Sequence, residues 1–295
     1  MEASVRKSRA AAYSVLSNSL LVGGKLAIGL LIGSVSVISE AIHSAVDLLA
    51  ALIAWFAVRM SAKPADADHP FGHGKIENLS GTIEALLILV AAVWIIFEAV
   101  AKLRHPEPVE HPGLGAAIMA VSVVANWLVS RHLFTVGRET DSVALIADAW
   151  HLRTDIWTSL GVMAALGVMA LTGWLWPGAG LHWIDPVAAI LVALLILHAA
   201  WELTVSAGRD LVDAALPAAE LEAIRTAALG ADPAVQAVAG MRARKAGAER
   251  LVEVTIAVPG SLSVDAGHAI ADRVEAAVAL ALPRTTTMVH IEPAG

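Results

Sequence analysis

Cysteine is absent from the 295-residue sequence, which excludes disulfides and thiolate-held metals together. Any bound metal ion must therefore be held by His, Asp or Glu. Charge is also scarce: Asp, Glu, Lys and Arg make up 16% of the chain, against about 25% in an ordinary soluble domain. The formal net charge of −7 leaves no basic footprint for nucleic acid. The N-terminus lacks the charged n-region, short apolar run and small-residue cleavage site of a signal peptide, so the first hydrophobic segment is expected to stay in the protein. Nine tryptophans are scattered, several near the ends of apolar runs where they suit interface anchoring.

The chain is instead rich in apolar residues, at 57%, with a mean hydropathy of +0.70. That composition reads as a membrane protein. A spanning helix needs about 20 mostly apolar residues, and the runs at 10–34, 39–61, 79–103, 114–135, 143–172 and 184–206 meet this. Short Gly/Pro or polar connections separate them, at 33–36, 62–77, 105–113, 136–142 and 174–180. With a cytoplasmic N-terminus, Arg6, Lys7, Arg9, Arg59, Lys63, Lys75, Arg131, Arg138 and Arg209 all lie inside, and only Lys102 and Arg104 lie outside. Lys/Arg bias therefore predicts cytoplasmic termini.

Normal polarity returns in the tail. A helix at 218–229, strands at 235–243 and 251–258, a helix at 264–281 and a strand at 287–293 predict a small α/β unit. The expected fold is six transmembrane helices in 1–208, forming a transport domain, and a cytoplasmic α/β domain in 209–295.

An ionised side chain at mid-bilayer costs roughly 2.5–3.5 kcal/mol on insertion scales, so such residues mark pathways. Two apolar runs carry the same pattern: EAIHSAVD at 40–47 and DAWHLRTD at 148–155. Each puts a histidine and an aspartate at i and i+4, on one helix face. Facing one another, the two helices would offer His43, Asp47, His151 and Asp155 around one point. Two nitrogens and two oxygens without sulfur suit a borderline divalent ion, and tetrahedral closure favours zinc. Glu40 and Asp148, one turn before each histidine, serve either as acceptors for the other ring N–H or as polar helix starts. A structural His–Asp polar zipper is the plainer alternative. Asn18, Lys25, Glu84, Asn126 and Arg153 also fall within apolar runs and need partners.

These motifs, with GSVSVISEAIHSAVDLL and the loop PADADHPFGHGKIE at 64–77, resemble the cation diffusion facilitator family of divalent-cation exporters. The resemblance covers nearly the whole chain. It implies that His43, Asp47, His151 and Asp155 form the transport site, in the His/Asp form of the zinc-preferring branch, with Cd2+, Fe2+ and Co2+ as further candidate ions. It also implies a homodimer in the bacterial inner membrane that exchanges cytoplasmic metal for external protons, and a metallochaperone-like, ferredoxin-like tail. The chemistry agrees, because a ligating His must be neutral and a ligating Asp ionised, so protons and metal compete. Histidine's reference pKa near 6.5 suits that exchange.

The resemblance adds two further metal positions. Asp66, His69 and His73 match a loop cluster that binds a second ion; a solvated polar loop is the alternative. In the tail, His268, His290 and Glu292 would hold at most one ion, because Ala239 and Thr255 stand where two-ion members carry further ligands. A metal-free dimerisation domain is the alternative there. An intramembrane metalloenzyme or a metal sensor would use the same central site. No HExxH motif is present, and four protein ligands leave no position for a catalytic water.

Overall fold

The computed structural model describes residues 2–32, 35–104, 112–175 and 183–294, with some side chains at helix ends, His43 and Glu40 among them, outside the described set. The chain forms two compact units, Met1–Gly208 and Arg209–Gly295.

The first unit contains α1 (Glu2–Ile32), α2 (Val35–Ser61), α3 (Lys75–Arg104), α4 (Pro112–Thr140), α5 (Val143–Leu175) and α6 (Ile184–Leu211, whose last turn enters the second unit). All are 27 residues or longer, more than the length a bilayer requires. Among the described residues, five of them carry a stretch apolar enough to cross: Ala3–Ile28, Ser44–Ser61, Lys75–Ala101, Met119–Thr140 and Ala189–Leu211. The exception, α5, has Asp148, Arg153 and Asp155 in its first half.

The bundle is built on α1 against α2 and α4, α5 against α4 and α3, and α2 against α5. Its seams are lined by small residues: Ala10 and Ala11 of α1, Ala57 of α2, and Ala144 and Ala149 of α5 are almost fully buried. Apolar association gains little in lipid, so small side chains that let backbones approach supply the packing. At Gly81 a Cβ would stand 2.7 Å from Val143 Cγ1, so glycine is what allows α3 to meet the start of α5. Large apolar side chains such as Leu20, Trp94 and Leu195 face outward, as a lipid-facing surface requires.

Buried Glu77, near the start of α3, ties one end of the bundle together. Its carboxylate accepts from Lys7 Nζ of α1 at 2.8 Å, from Ser61 Oγ of α2 at 2.7 Å, and from Ser142 Oγ in the α4–α5 turn.

Two of the helix boundaries that differ from the sequence expectation have a visible physical reason. α1 starts at Glu2 rather than at residue 10, because Arg6 and Lys7 have carboxylate partners in Glu139 and Glu77. α4 continues through most of the expected 136–142 loop to Thr140. Gly137 is not a breaker there: a Cβ would meet Ile146 at 3.0 Å, so the glycine is a close-packing position. The chain reverses at Asp141, with φ of 55°, and Ser142.

The second unit runs α7 (Ala218–Gly230), β1 (Ala237–Ala246), β2 (Glu249–Val258), α8 (Val264–Ala281) and β3 (Thr285–Pro293). The sheet order is β1-β2-β3, antiparallel between β1 and β2 and parallel between β2 and β3. β1 extends beyond the expected end at 243 because Ala246 pairs with Glu249 around a two-residue turn. Gly247, with φ of 63°, supplies the positive φ that such a turn requires. Ile224, Val254, Ile256, Val274 and Val278 form a core of the unit's own. Ser263 caps α8 by accepting from Ala266 N at 3.2 Å. Arg250 grips Glu220 with two bonds of 2.8 and 2.9 Å, and Arg273 holds Asp232 at 2.7 Å.

Candidate metal centre

The inner face of α2 is polar and its outer face is not. Ser44 and Asp47 are buried, while Val46 and Leu49 are exposed to the surroundings of the bundle. On α5, Asp148, His151 and Asp155 recur at three- and four-residue spacing and so share a face. Packing α2 on α5 brings His151 Nε2 to 3.2 Å from Asp47 Oδ1. Asp47, His151 and Asp155 can each offer a ligand atom such that all lie within 4.8 Å of one another. His43 stands on α2 one turn before Asp47; its side chain lies outside the described residues.

These groups line a cavity of about 370 Å³ that also reaches Asn18, Lys25, Ser44 and Asn126. Lys25 Nζ donates to Ser44 Oγ at 2.9 Å, so the lysine of α1 is held against the polar face of α2. Thr154 and Thr158 return their hydroxyls to the carbonyls of His151 and Asp155, at 2.7 and 3.0 Å, which leaves the acid and imidazole groups facing the cavity. Among the described residues His151 Nδ1 is buried without a hydrogen-bond partner, so Asp148 does not accept it. Nor is Asp148 a solvated helix start, because it is fully buried, as is Glu84 of α3. Glu84 lies within electrostatic reach of both Asp148 and His151. Arg153 points away from the acids of the cavity and stacks on Phe134, its guanidinium carbon 5.8 Å from the ring centroid.

The loop before α3 forms a second cluster. Asp66 Oδ1 accepts from His69 N at 2.8 Å and Asp68 N at 3.1 Å, while His73 Nε2 is 3.4 Å from Asp66 Oδ2. Gly72, with φ of 81°, turns the chain so that the His69 and His73 rings stand 4.4 Å apart. Asp66, His69 and His73 can also offer ligand atoms within 4.8 Å of one another. The His69 backbone N–H is the main reason the Asp66 carboxyl is held below its ordinary value, which keeps it ionised and ready to ligate.

The tail differs. His268 is exposed and faces Asp272 of its own helix at 3.9 Å, while His290 Nε2 is 3.7 Å from Glu292 Oε1 on β3. Among the described residues, His268, His290 and Glu292 do not form a three-ligand group. Thr255 is the register neighbour of His290 across the parallel pair, and Ala239 sits in a β1 bulge. His198 and Glu202 are an exposed pair on α6, 3.4 Å apart.

A family model of the cation efflux transmembrane domain matches residues 11–212, and one of the cation efflux protein cytoplasmic domain matches 216–294. The chain belongs to the cation diffusion facilitator family. Among curated relatives, an uncharacterized transporter of Synechocystis is 34% identical over 284 residues, 95% of this chain and 89% of its own length. A probable cation efflux system protein of Mycobacterium tuberculosis is 33% identical over 98% of this chain and 86% of the relative. The cation-efflux pump FieF of Klebsiella pneumoniae is 30% identical over 97% of this chain and 92% of the relative. Among solved structures, the cadmium form of a MamM C-terminal domain variant covers 26% of this chain and 98% of its own, at 30% identity and a TM-score of 0.26. As a cation diffusion facilitator, this chain is a cation efflux transporter and not an enzyme.

Proposed function

We propose that the protein exports divalent cations, zinc foremost, across the cytoplasmic membrane in exchange for protons, working as a homodimer with both termini in the cytoplasm. The observation that carries this reading is the convergence of buried Asp47 and His151 with half-buried Asp155 from two helices. With His43 as fourth ligand the set is two imidazoles and two carboxylates, suited to a tetrahedral ion. An ion held there neutralises carboxylates that are otherwise costly to bury. Each ligand that takes a proton leaves the metal, so a proton supply from outside releases cargo, and reorienting the helices returns the site to the cytoplasm.

Asp66, His69 and His73 hold a second ion outside the spans. The C-terminal domain serves dimerisation and regulation, with any ion at His268, His290 and Glu292 held weakly. Zinc titration of the detergent-solubilised full chain in weak buffer tests the central site. Binding should release protons, and the Asp47→Ala/Asp155→Ala double variant should lose that release. Unchanged proton release in the double variant would place the ion elsewhere.

A further inference from the structure

A second cavity, of about 340 Å³, lies between α4 and α5 on the face away from the metal centre. Three guanidiniums line it, those of Arg131, Arg138 and Arg153, with Phe134, Trp150 and Trp157 as walls. The aromatics are locked edge to face, Phe134 on Trp150 at 5.4 Å and Trp150 on Trp157 at 6.0 Å. Arg138 and Arg153 both stack on Phe134, at 5.3 and 5.8 Å, so two cations crowd around one ring.

Among the described residues none of these three arginines has a carboxylate partner, and the Nε of Arg153 is buried with no acceptor. Arg6 and Lys7, in the same unit, are paired with Glu139 and Glu77. Three unneutralised cations in a chain of net charge −7 call for an anion with several acceptor oxygens, which a phosphate supplies in the geometry a guanidinium fork prefers.

What continues from the cavity decides which phosphate. Val124, Trp127 and Leu128 precede Arg131 on α4 by seven, four and three residues, hence on the same face, and all three are exposed apolar side chains. An acyl chain has a track there, directly below a headgroup held by the arginines. Tryptophan and arginine at such a level are the usual interfacial pair. We propose that this groove binds an anionic glycerophospholipid, its phosphate among Arg131, Arg138 and Arg153 and its chains along α4.

The test is native mass spectrometry of the full-length protein in detergent, offered phosphatidylglycerol or phosphatidylcholine of identical chains, with inorganic phosphate as competitor. Phosphatidylglycerol should be retained in preference to phosphatidylcholine. Retention should fall about fivefold for each guanidinium removed, in Arg131→Gln, Arg138→Gln and the triple variant with Arg153→Gln. Arg59→Gln, which removes a guanidinium stacked on Trp55 elsewhere, should leave it unchanged. The exposed single variants carry the test if the triple variant is not monodisperse. Equal retention of the two lipids, or of phosphatidylglycerol by wild type and by the Arg131 and Arg138 variants, overturns the proposal. Displacement of phosphatidylglycerol by millimolar inorganic phosphate overturns it in favour of a free-phosphate site.

Discussion

His151 Nε2 and Asp47 Oδ1 stand 3.2 Å apart although 104 residues of sequence separate them. The contact joins α2 to α5 inside the membrane unit and leaves the other imidazole nitrogen, Nδ1, buried without a hydrogen-bond partner among the described residues. A pair so placed has a stake in a third party, because a buried polar atom without a partner costs on the order of 1–3 kcal/mol. Zinc should accordingly stabilise the protein against heat. Wild type should gain several degrees in Tm with excess zinc, and His151→Ala should gain markedly less.

The Glu77 clasp predicts a stability defect unrelated to metal. Glu77→Ala strands Lys7 and removes the acceptor of Ser61 and Ser142. Loss of one partner from a buried charged pair costs about 3–5 kcal/mol. The variant should show a lower unfolding temperature in detergent, with zinc affinity at the central site little changed in the fraction that remains folded.

In the loop, Asp66→Ala removes both a proposed ligand and the acceptor of the His69 and Asp68 amides. Zinc bound per protomer should fall by one ion while the central ion is retained, measured by inductively coupled plasma mass spectrometry after gel filtration. By contrast, His290→Ala should leave the count of tightly bound ions unchanged, because among the described residues no three-ligand group forms around it.

Acid should loosen the C-terminal unit first at its carboxylate contacts. The bond from Arg250 holds the Glu220 carboxyl below its ordinary value of 4.5, and the Ala234 backbone N–H, with help from Arg273, holds Asp232 below 3.8. Because the folded values lie below the unfolded ones, the stability these groups contribute is complete above about pH 4.5 and is lost as pH falls through the lowered folded values. Hydrogen exchange on the full chain should show protection of the β2 and α7 amides falling in that acid range, and Glu220→Gln should flatten the dependence.

The convergence of α2 and α5 on Asp47, His151 and Asp155 was legible in the sequence for a physical reason. Buried charge in lipid is expensive, so a His–Asp pair at i,i+4 stands out against an apolar run, and its repetition at 148–155 names the partner. The loop cluster was legible because Asp66, His69 and His73 lie within eight residues. Glu77 was not, since its partners Lys7, Ser61 and Ser142 are distant and none has a periodic signature. Nor was the α4–α5 groove, where Arg131 and Arg138 read singly as cytoplasmic charge and Arg153 as a residue in need of a partner until two helices set them around one cavity. Gly137 misled in the opposite direction, because a glycine that admits Ile146 looks in sequence like one that ends a helix.

Zinc flux into proteoliposomes under an imposed pH gradient, compared between wild type, Asp47→Ala and Asp155→Ala, tests the central claim most directly. Wild type should carry zinc in proportion to the gradient, and each variant should fall by at least a hundredfold, to the leak of empty vesicles, while remaining monodisperse. Wild-type flux in both variants would contradict the assignment of Asp47 and Asp155 to the transported ion.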